Sequence, residues 1–314
     1  MQVPNRQGEF YSIGSKPSVG VPENMIIYGN ASVGVVRIAY RECGVPDAPA
    51  VVLLHGIPSS SLQFRELMQA LSTRFHLIAP DFPGCGNSEM PDPEEFEYSF
   101  ENLSGVIEEF LRLKGFDEYG LYMHGLAGPV GLRLFERNPE AVKWLIIQNA
   151  NAYEVGFAPL WDAVREMWAN RNDETEKALH RFFDLDEIRD LYLQGAQRED
   201  LVSPDYWNSV YGFLQKPNAR RAQLDLLYDY RSNADLYPKW QRLLRERQPK
   251  SLIFWGEDDC FFTRAGGDAY RTDLPEAELY HLNFGHFALG FCGEYISYNM
   301  RRFYNERVAP RWVR

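Results

Sequence analysis

The chain has 314 residues, 45% hydrophobic and 14% aromatic, enough to bury one large core, so a single α/β domain with an insertion needs no second domain to explain it. Its 33 basic and 44 acidic residues leave a net charge of −11, and no Lys/Arg-rich run offers a phosphate-binding stripe; small molecules are expected as partners and nucleic acid is not. The N-terminal MQVPNRQGEFYSIGSKPSVG lacks the apolar stretch of a signal peptide, and no run of ~18 apolar residues offers a membrane span.

Residues 1–24, rich in Gly, Pro and Ser without a periodic apolar face, read as an irregular arm. Strand-like stretches follow at Met25–Tyr28 and Val35–Tyr40, then the short apolar runs AVVLLHG and FHLIAPD, each suited to a buried parallel strand. Between those runs SSLQFRELMQALST has helical spacing, with Ser60 or Ser61 as its cap. The alternation continues through FENLSGVIEEFLRLKG as helix, YGLYM as strand, GPVGLRLFERN as helix and VKWLIIQN as strand, which predicts a mostly parallel sheet with helices on both faces.

From about Ala150 to Arg245 the strand signal gives way to helical segments such as PLWDAVREMWAN and KALHRFFDLDEIRDLYLQG. Strand and helix alternation resumes with SLIFWGEDD, a helix near Ala265–Thr272, ELYHLNFGH and a last helix around Tyr295–Tyr304. The organisation expected is an arm at 1–24, a core of 25–149 and 246–314, and a helical cap at 150–245. Cys43, Cys85, Cys260 and Cys292 lie far apart with neither a CxxC pair nor zinc-ligand spacing, so a reduced, cytoplasmic protein without a metal is expected.

The motifs gather at strand ends. VVLLHGIPSSS puts His55 and Gly56 at the carboxyl end of a predicted strand, where open α/β sheets assemble ligand sites, and Gly56 lets the backbone approach a ligand so that the Ile57 N–H becomes a candidate oxyanion donor. The bland alternative is a turn that merely needs glycine and proline. In PDFPGCGNS, Asp81 reads as a turn-fixing carboxylate, and Cys85 has no neighbouring cation that would mark a thiolate nucleophile.

These two segments, with LYMHGLAGPVG, LIIQNANAY, LDLLYDYRSNADLYP, LIFWGEDD and LNFGHFALG in the same order, resemble the haloalkane dehalogenase and epoxide hydrolase branch of the α/β-hydrolase superfamily. The likeness runs from about Ile26 to Tyr304. It implies an α/β-hydrolase fold with an eight-stranded sheet, a helical cap inserted after the sixth strand, and a buried site between core and cap. In that family the fifth strand ends in a sharp elbow bearing Asp or Ser. Here the elbow reads Met123-His124-Gly125-Leu126-Ala127-Gly128, which puts Gly125 at the apex, and no shift of one or two residues supplies Ser, Cys or Asp.

The resemblance also matches Asp259 of WGEDD to the family's acid, with Asp258 as the neighbour to be distinguished, and His286 of LNFGHFALG to its base. Asn149 and Asn151 offer no carboxylate at the alternative acid position after the sixth strand. Leu126 N–H joins Ile57 N–H as an oxyanion donor, and His55, His124, Trp161 and Tyr211 are candidate substrate contacts.

Glycine occupies a strained apex at low cost but cannot form an ester or acyl intermediate, so covalent catalysis in the family manner is excluded. Three readings remain. His286 with Asp259 acts as a general base on the substrate or on a water filling the space at Gly125, giving noncovalent hydrolysis, a lyase or isomerase step, or cofactor-free oxygenation. Or the chain is an inactive or engineered relative, a binding protein. Or His124 is the nucleophile, which strand alternation opposes by pointing it away from the site.

Ile57 and Leu126 replace the halide-binding polar residue and tryptophan of the dehalogenases, which argues against dehalogenation. Epoxide hydrolases use cap tyrosines, and Tyr206, Tyr211, Tyr228, Tyr230 and Tyr237 all lie in the insertion without one standing out. Trp161, Trp168, Phe182, Phe183 and Trp207 point to an apolar pocket for a neutral, hydrophobic small molecule. No cofactor is implied. The oligomeric state, with a dimer as one option, and the substrate's identity are not legible.

Overall fold

The computed structural model describes residues 2–4, 10–12, 22 and 24–309. Within the stretch expected to be an irregular arm, β1 (Gln2–Pro4) and β2 (Phe10–Ser12) pair antiparallel; the rest of that stretch lies outside the described residues.

The main sheet begins with β3 (Ile27–Val33) and β4 (Val36–Cys43), each longer than the sequence signal, and continues with β5 (Ala50–Leu54). Ser60 caps the short 3-10 turn Ser61–Phe64 that leads into α1 (Arg65–Leu71), and β6 (His76–Pro80) follows. Helix α2 (Phe100–Lys114) starts on a Ser99 hydroxyl that accepts from the Asn102 N–H at 3.2 Å, as an N-cap should. Then come β7 (Tyr119–His124), α3 (Gly128–Arg137) and β8 (Val142–Gln148).

Six helices separate β8 from the next strand: α4 (Trp161–Ala169), α5 (Asp173–Leu179), α6 (Leu185–Leu193), α7 (Asp205–Leu214), α8 (Ala219–Asp229) and α9 (Arg231–Arg247). The chain closes with β9 (Ser251–Gly256), α10 (Arg264–Asp273), β10 (Glu278–Leu282) and α11 (Leu289–Phe303).

The eight strands run in the order β10-β9-β8-β7-β5-β6-β4-β3. Only β4 breaks the parallel arrangement, pairing antiparallel with both β3 and β6. This is the α/β-hydrolase fold the motifs implied. Strands β7 and β9 are buried along their whole lengths, which is why they read as unbroken apolar runs rather than alternating ones.

The expected boundary at 245 lies within a helix. That helix, α9, is docked on the core: Trp240 Nε1 donates to Glu136 of α3 at 3.0 Å, and Gln241 Nε2 donates to the Ala152 carbonyl at 2.8 Å. The apolar spacing of α9 could not distinguish a helix facing the core from one facing the cap.

Strand order reverses at β5, with β6 on one side and β7 on the other, and ligand crevices of open sheets form at such a point. Leu54 pairs with Met123, so the segments that leave β5 and β7, His55-Gly56-Ile57 and His124-Gly125-Leu126, run side by side. The register Met123↔Ile147 and Ile147↔Ile253 brings the ends of β8 and β9 into the same row.

Candidate active site

Gly125 occupies the turn between β7 and a 3-10 turn, Gly125–Ala127, that runs directly into α3. Its φ is +54°, a region L-residues seldom adopt, so the turn selects glycine at that position on backbone grounds alone. A side-chain carbon placed on Gly125 would lie 2.5 Å from His286 Nε2 and 3.0 Å from Cε1. The imidazole therefore stands against the glycine, not across a gap from it. This corrects one expectation: the space at Gly125 is filled by the His286 ring, and a water acting there must lie in the cavity beside the ring.

His286 sits in the loop between β10 and α11, 4% exposed, and its Nδ1–H donates to Asp259 Oδ2 at 2.7 Å. Asp259 follows β9 and accepts three further hydrogen bonds: the Phe261 and Phe262 N–H groups on Oδ1 at 2.7 and 3.1 Å, and Asn149 Nδ2 on Oδ2 at 2.7 Å. Four donors satisfy the buried carboxylate and fix its plane, so the imidazole is held in the tautomer that leaves Nε2 free to accept a proton. Asp258, the competing acid, is exposed.

Asn149 was visible in the sequence only as the absence of a carboxylate. In the structure its Oδ1 also accepts from the Gly256 N–H at 3.0 Å, and its own φ is +46°. It bridges the ends of β8 and β9 and clamps the acid. The signal was its place directly after the end of a buried strand.

His124 is fully enclosed behind Gly56, where an added side-chain carbon would meet its Nδ1 at 2.8 Å. Its Nε2 donates to the His286 carbonyl at 2.9 Å, and its Nδ1 accepts from Gln63 Nε2 at 3.2 Å. Burial first, and the nearby His286 second, push its pKa well below the usual histidine value. Both nitrogens are committed, so His124 is neither nucleophile nor substrate contact; it holds the loop that carries His286.

A polar chain extends from that ring to the inserted helices. Gln63 Oε1 accepts from Ser59 Oγ at 2.9 Å, and Ser59 meets Tyr192 of α6 at 3.1 Å. His55 is likewise structural: its Nε2 accepts from the Phe82 N–H at 3.0 Å, its Nδ1 donates to the Gly56 carbonyl at 2.6 Å, and burial lowers its pKa. Gln63, Ser59 and Tyr192 were not singled out in the sequence, because a polar residue in a serine-rich loop or inside an apolar helical pattern carries no signal of its own.

Two small cavities lie between the sheet and the inserted helices. The first, about 20 Å³, is bordered by His286, Phe287, Phe262, Ile188 and Tyr192; the second, about 40 Å³, by Trp161, Val164, Phe182, Phe183 and Gln223. Ile57, Pro58, Leu126, Leu191 and Phe261 border both, so the two cavities are neighbours that share a wall. By volume the first has room for about one water and the second for a few.

Both expected oxyanion donors thus belong to residues on the cavity wall, and Leu126 N–H lies at the start of a helical turn, where no intrahelical acceptor exists. Trp161 borders the second cavity. Tyr211 borders neither, being half-buried on α7. Among the other cap tyrosines, Tyr206 donates to Glu66 at 2.6 Å, and Tyr230 and Tyr237 bond each other at 2.8 Å.

All four cysteines are free thiols, and burial pushes Cys85 up to about 12, so it is not a nucleophile at neutral pH. Asp81 fixes its turn by accepting from the Ser61 N–H at 2.7 Å and the Asn87 N–H at 2.8 Å. Among the described residues no helix is long and apolar enough to cross a membrane, and no three His, Cys, Asp or Glu side chains are placed to hold a metal.

Comparison with known proteins agrees with this architecture. The chain is 33% identical over 258 residues to an uncharacterised hydrolase, YNR064C, of Saccharomyces cerevisiae, covering 81% of this chain and 88% of that one. It is 28% identical over 275 residues to the cis-3-alkyl-4-alkyloxetan-2-one decarboxylase of Shewanella oneidensis, covering 82% of each. The crystal structure of a protein described as an ancestral haloalkane dehalogenase, AncHLD2, superposes with a TM-score of 0.72 at 22% identity, over 88% of this chain and 98% of the other, a likeness of fold. The model of the alpha/beta hydrolase fold family matches residues 49–291, and the chain belongs to that family.

Proposed function

We propose that this protein is an enzyme for a small, mostly hydrophobic molecule, in which the His286–Asp259 pair acts as a general base and no covalent bond to the protein forms. The observation that carries the reading is the pairing of a satisfied, buried His–Asp dyad, 2.7 Å apart, with glycine at the turn its free nitrogen faces. Gly125 stands where the family's nucleophile would stand. His286 Nε2 takes a proton from a water or from the substrate, its Nδ1–H stays on Asp259, and Ile57 and Leu126 N–H receive the negative charge that develops.

Noncovalent hydrolysis, a lyase or isomerase step and cofactor-free oxygenation all share that first proton transfer. The relative named as a decarboxylase of alkyl-oxetanones is in keeping with an apolar carbonyl substrate and with chemistry other than simple hydrolysis. The cavities hold about 20 and 40 Å³, so binding of such a substrate requires the inserted helices to move, a step other lidded enzymes also make.

The test is turnover of a panel of aryl esters, epoxides and enolisable aromatic ketones, with oxygen uptake monitored. His286→Ala is expected to abolish the activity found, and Asp259→Asn to lower it by roughly 10²–10⁴-fold through loss of the correct tautomer. Activity unchanged in both variants places the chemistry elsewhere; binding without turnover in every form, wild type included, supports an inactive binding protein.

A further inference from the structure

The wall of the second cavity is apolar apart from the Trp161 indole N–H and the amide of Gln223, a residue of α8 that is only 2% exposed. Its Nε2 points to the Gly84 carbonyl at 3.4 Å and to Cys85 Sγ at 3.9 Å. Its Oε1 has no hydrogen-bond partner among the described residues. Reversing the amide would set oxygen against the Gly84 carbonyl, acceptor against acceptor, so the oxygen is the atom left free.

The other polar group on this wall, the Trp161 indole N–H, is already committed to the Phe261 carbonyl at 2.9 Å. A buried amide oxygen without a donor destabilises the fold, and leucine at the same place would not. The position is thus poor for packing, on a side chain that borders the cavity. Five residues border both cavities, so His286 and Gln223 stand on neighbouring apolar cavities that share a wall.

We propose that Gln223 Oε1 is a specificity determinant that accepts a hydrogen bond from a hydroxyl or N–H group at the end of the substrate remote from His286. The ligand class is then an apolar molecule with a single donor at its distal end. This rests on the reading that the space between the sheet and the inserted helices is the substrate site, but not on which reaction occurs there.

A binding experiment tests it without turnover. Toluene and 4-methylphenol share an apolar ring and differ in the donor, and their dissociation constants are measured by calorimetry or ligand-observed NMR on the full chain, wild type and Gln223→Leu. The wild type is expected to prefer 4-methylphenol by about ten-fold or more, and Gln223→Leu to lose that preference by weakening only the phenol. The leucine variant is also expected to melt at the wild-type temperature or above, since no structural hydrogen bond of normal length is removed.

Equal preference in both proteins, no preference in the wild type, or no binding of either compound overturns the proposal. So does a melting temperature several degrees lower in the variant, which marks Gln223 as structural. The preference persisting in a chain that turns over nothing leaves this inference standing and sinks the general-base reading.

Discussion

Replacing Gly125 with alanine perturbs the site at its tightest point, and the structure sets the cost. Alanine at a φ of +54° is destabilised by about 1–2 kcal/mol on backbone grounds. Its Cβ would start 2.5 Å from His286 Nε2, so the ring must retreat by about 1 Å to reach ordinary contact. That retreat stretches the 2.7 Å bond to Asp259, a buried hydrogen bond to a charged group of the kind worth about 1.5–3 kcal/mol. The sum is roughly 2.5–5 kcal/mol. A double-mutant cycle separates the two parts, because in a His286→Ala background only the backbone part remains. Urea unfolding of the wild type, both single variants and the double variant should therefore give a coupling of about 1.5–3 kcal/mol. A coupling smaller than about 0.5 kcal/mol would refute the claim that the ring occupies the space at Gly125.

Asn149→Ala removes one donor from Asp259 and should lower turnover by roughly ten-fold, as loss of such supporting bonds does at other sites; Asn149→Asp sets a second carboxylate against the first and should lower it further, and steady-state rates of the two variants check the order. The pH dependence of stability follows from His124 and His55, whose folded pKa values lie below the ordinary 6.5. The unfolded chain binds protons there that the folded chain refuses, so stability is fully present above about pH 6.5 and falls as the pH drops, by about 1.4 kcal/mol per unit for each histidine. Urea midpoints between pH 7 and 5.5 read this, and His124→Gln should halve the slope; a flat profile would contradict the neutral assignment of both rings.

Much of the fold was legible because the central strands are buried on both faces and read as short apolar runs, and because glycine and proline punctuate their ends. His286, Asp259 and Gly125 could be named from the order of the motifs, and the structure brings these three together. What failed was orientation. His55 and His124 sit at strand ends, where a side chain can face the ligand or the support behind it, and only the tertiary contacts with Phe82, Gln63 and the His286 carbonyl settle that both face the support. Tyr192 and Gln223 were passed over for a related reason. On an amphipathic cap helix, the residue that borders the cavity has the same spacing as its neighbours that pack, and burial is shared by both.

The central claim, chemistry at His286 without a covalent enzyme intermediate, is tested most directly by peptide mass mapping of the wild type and Gly125→Asp, each quenched during turnover of the ester, epoxide and ketone panel. The account predicts that the wild type consumes at least one compound with no added mass on the peptide containing residue 125, and that Gly125→Asp suppresses that reaction by displacing the His286 ring. A covalent mass on the wild-type protein would contradict it, as would an inert wild type whose Gly125→Asp variant opens epoxides or cleaves esters through an adduct on residue 125.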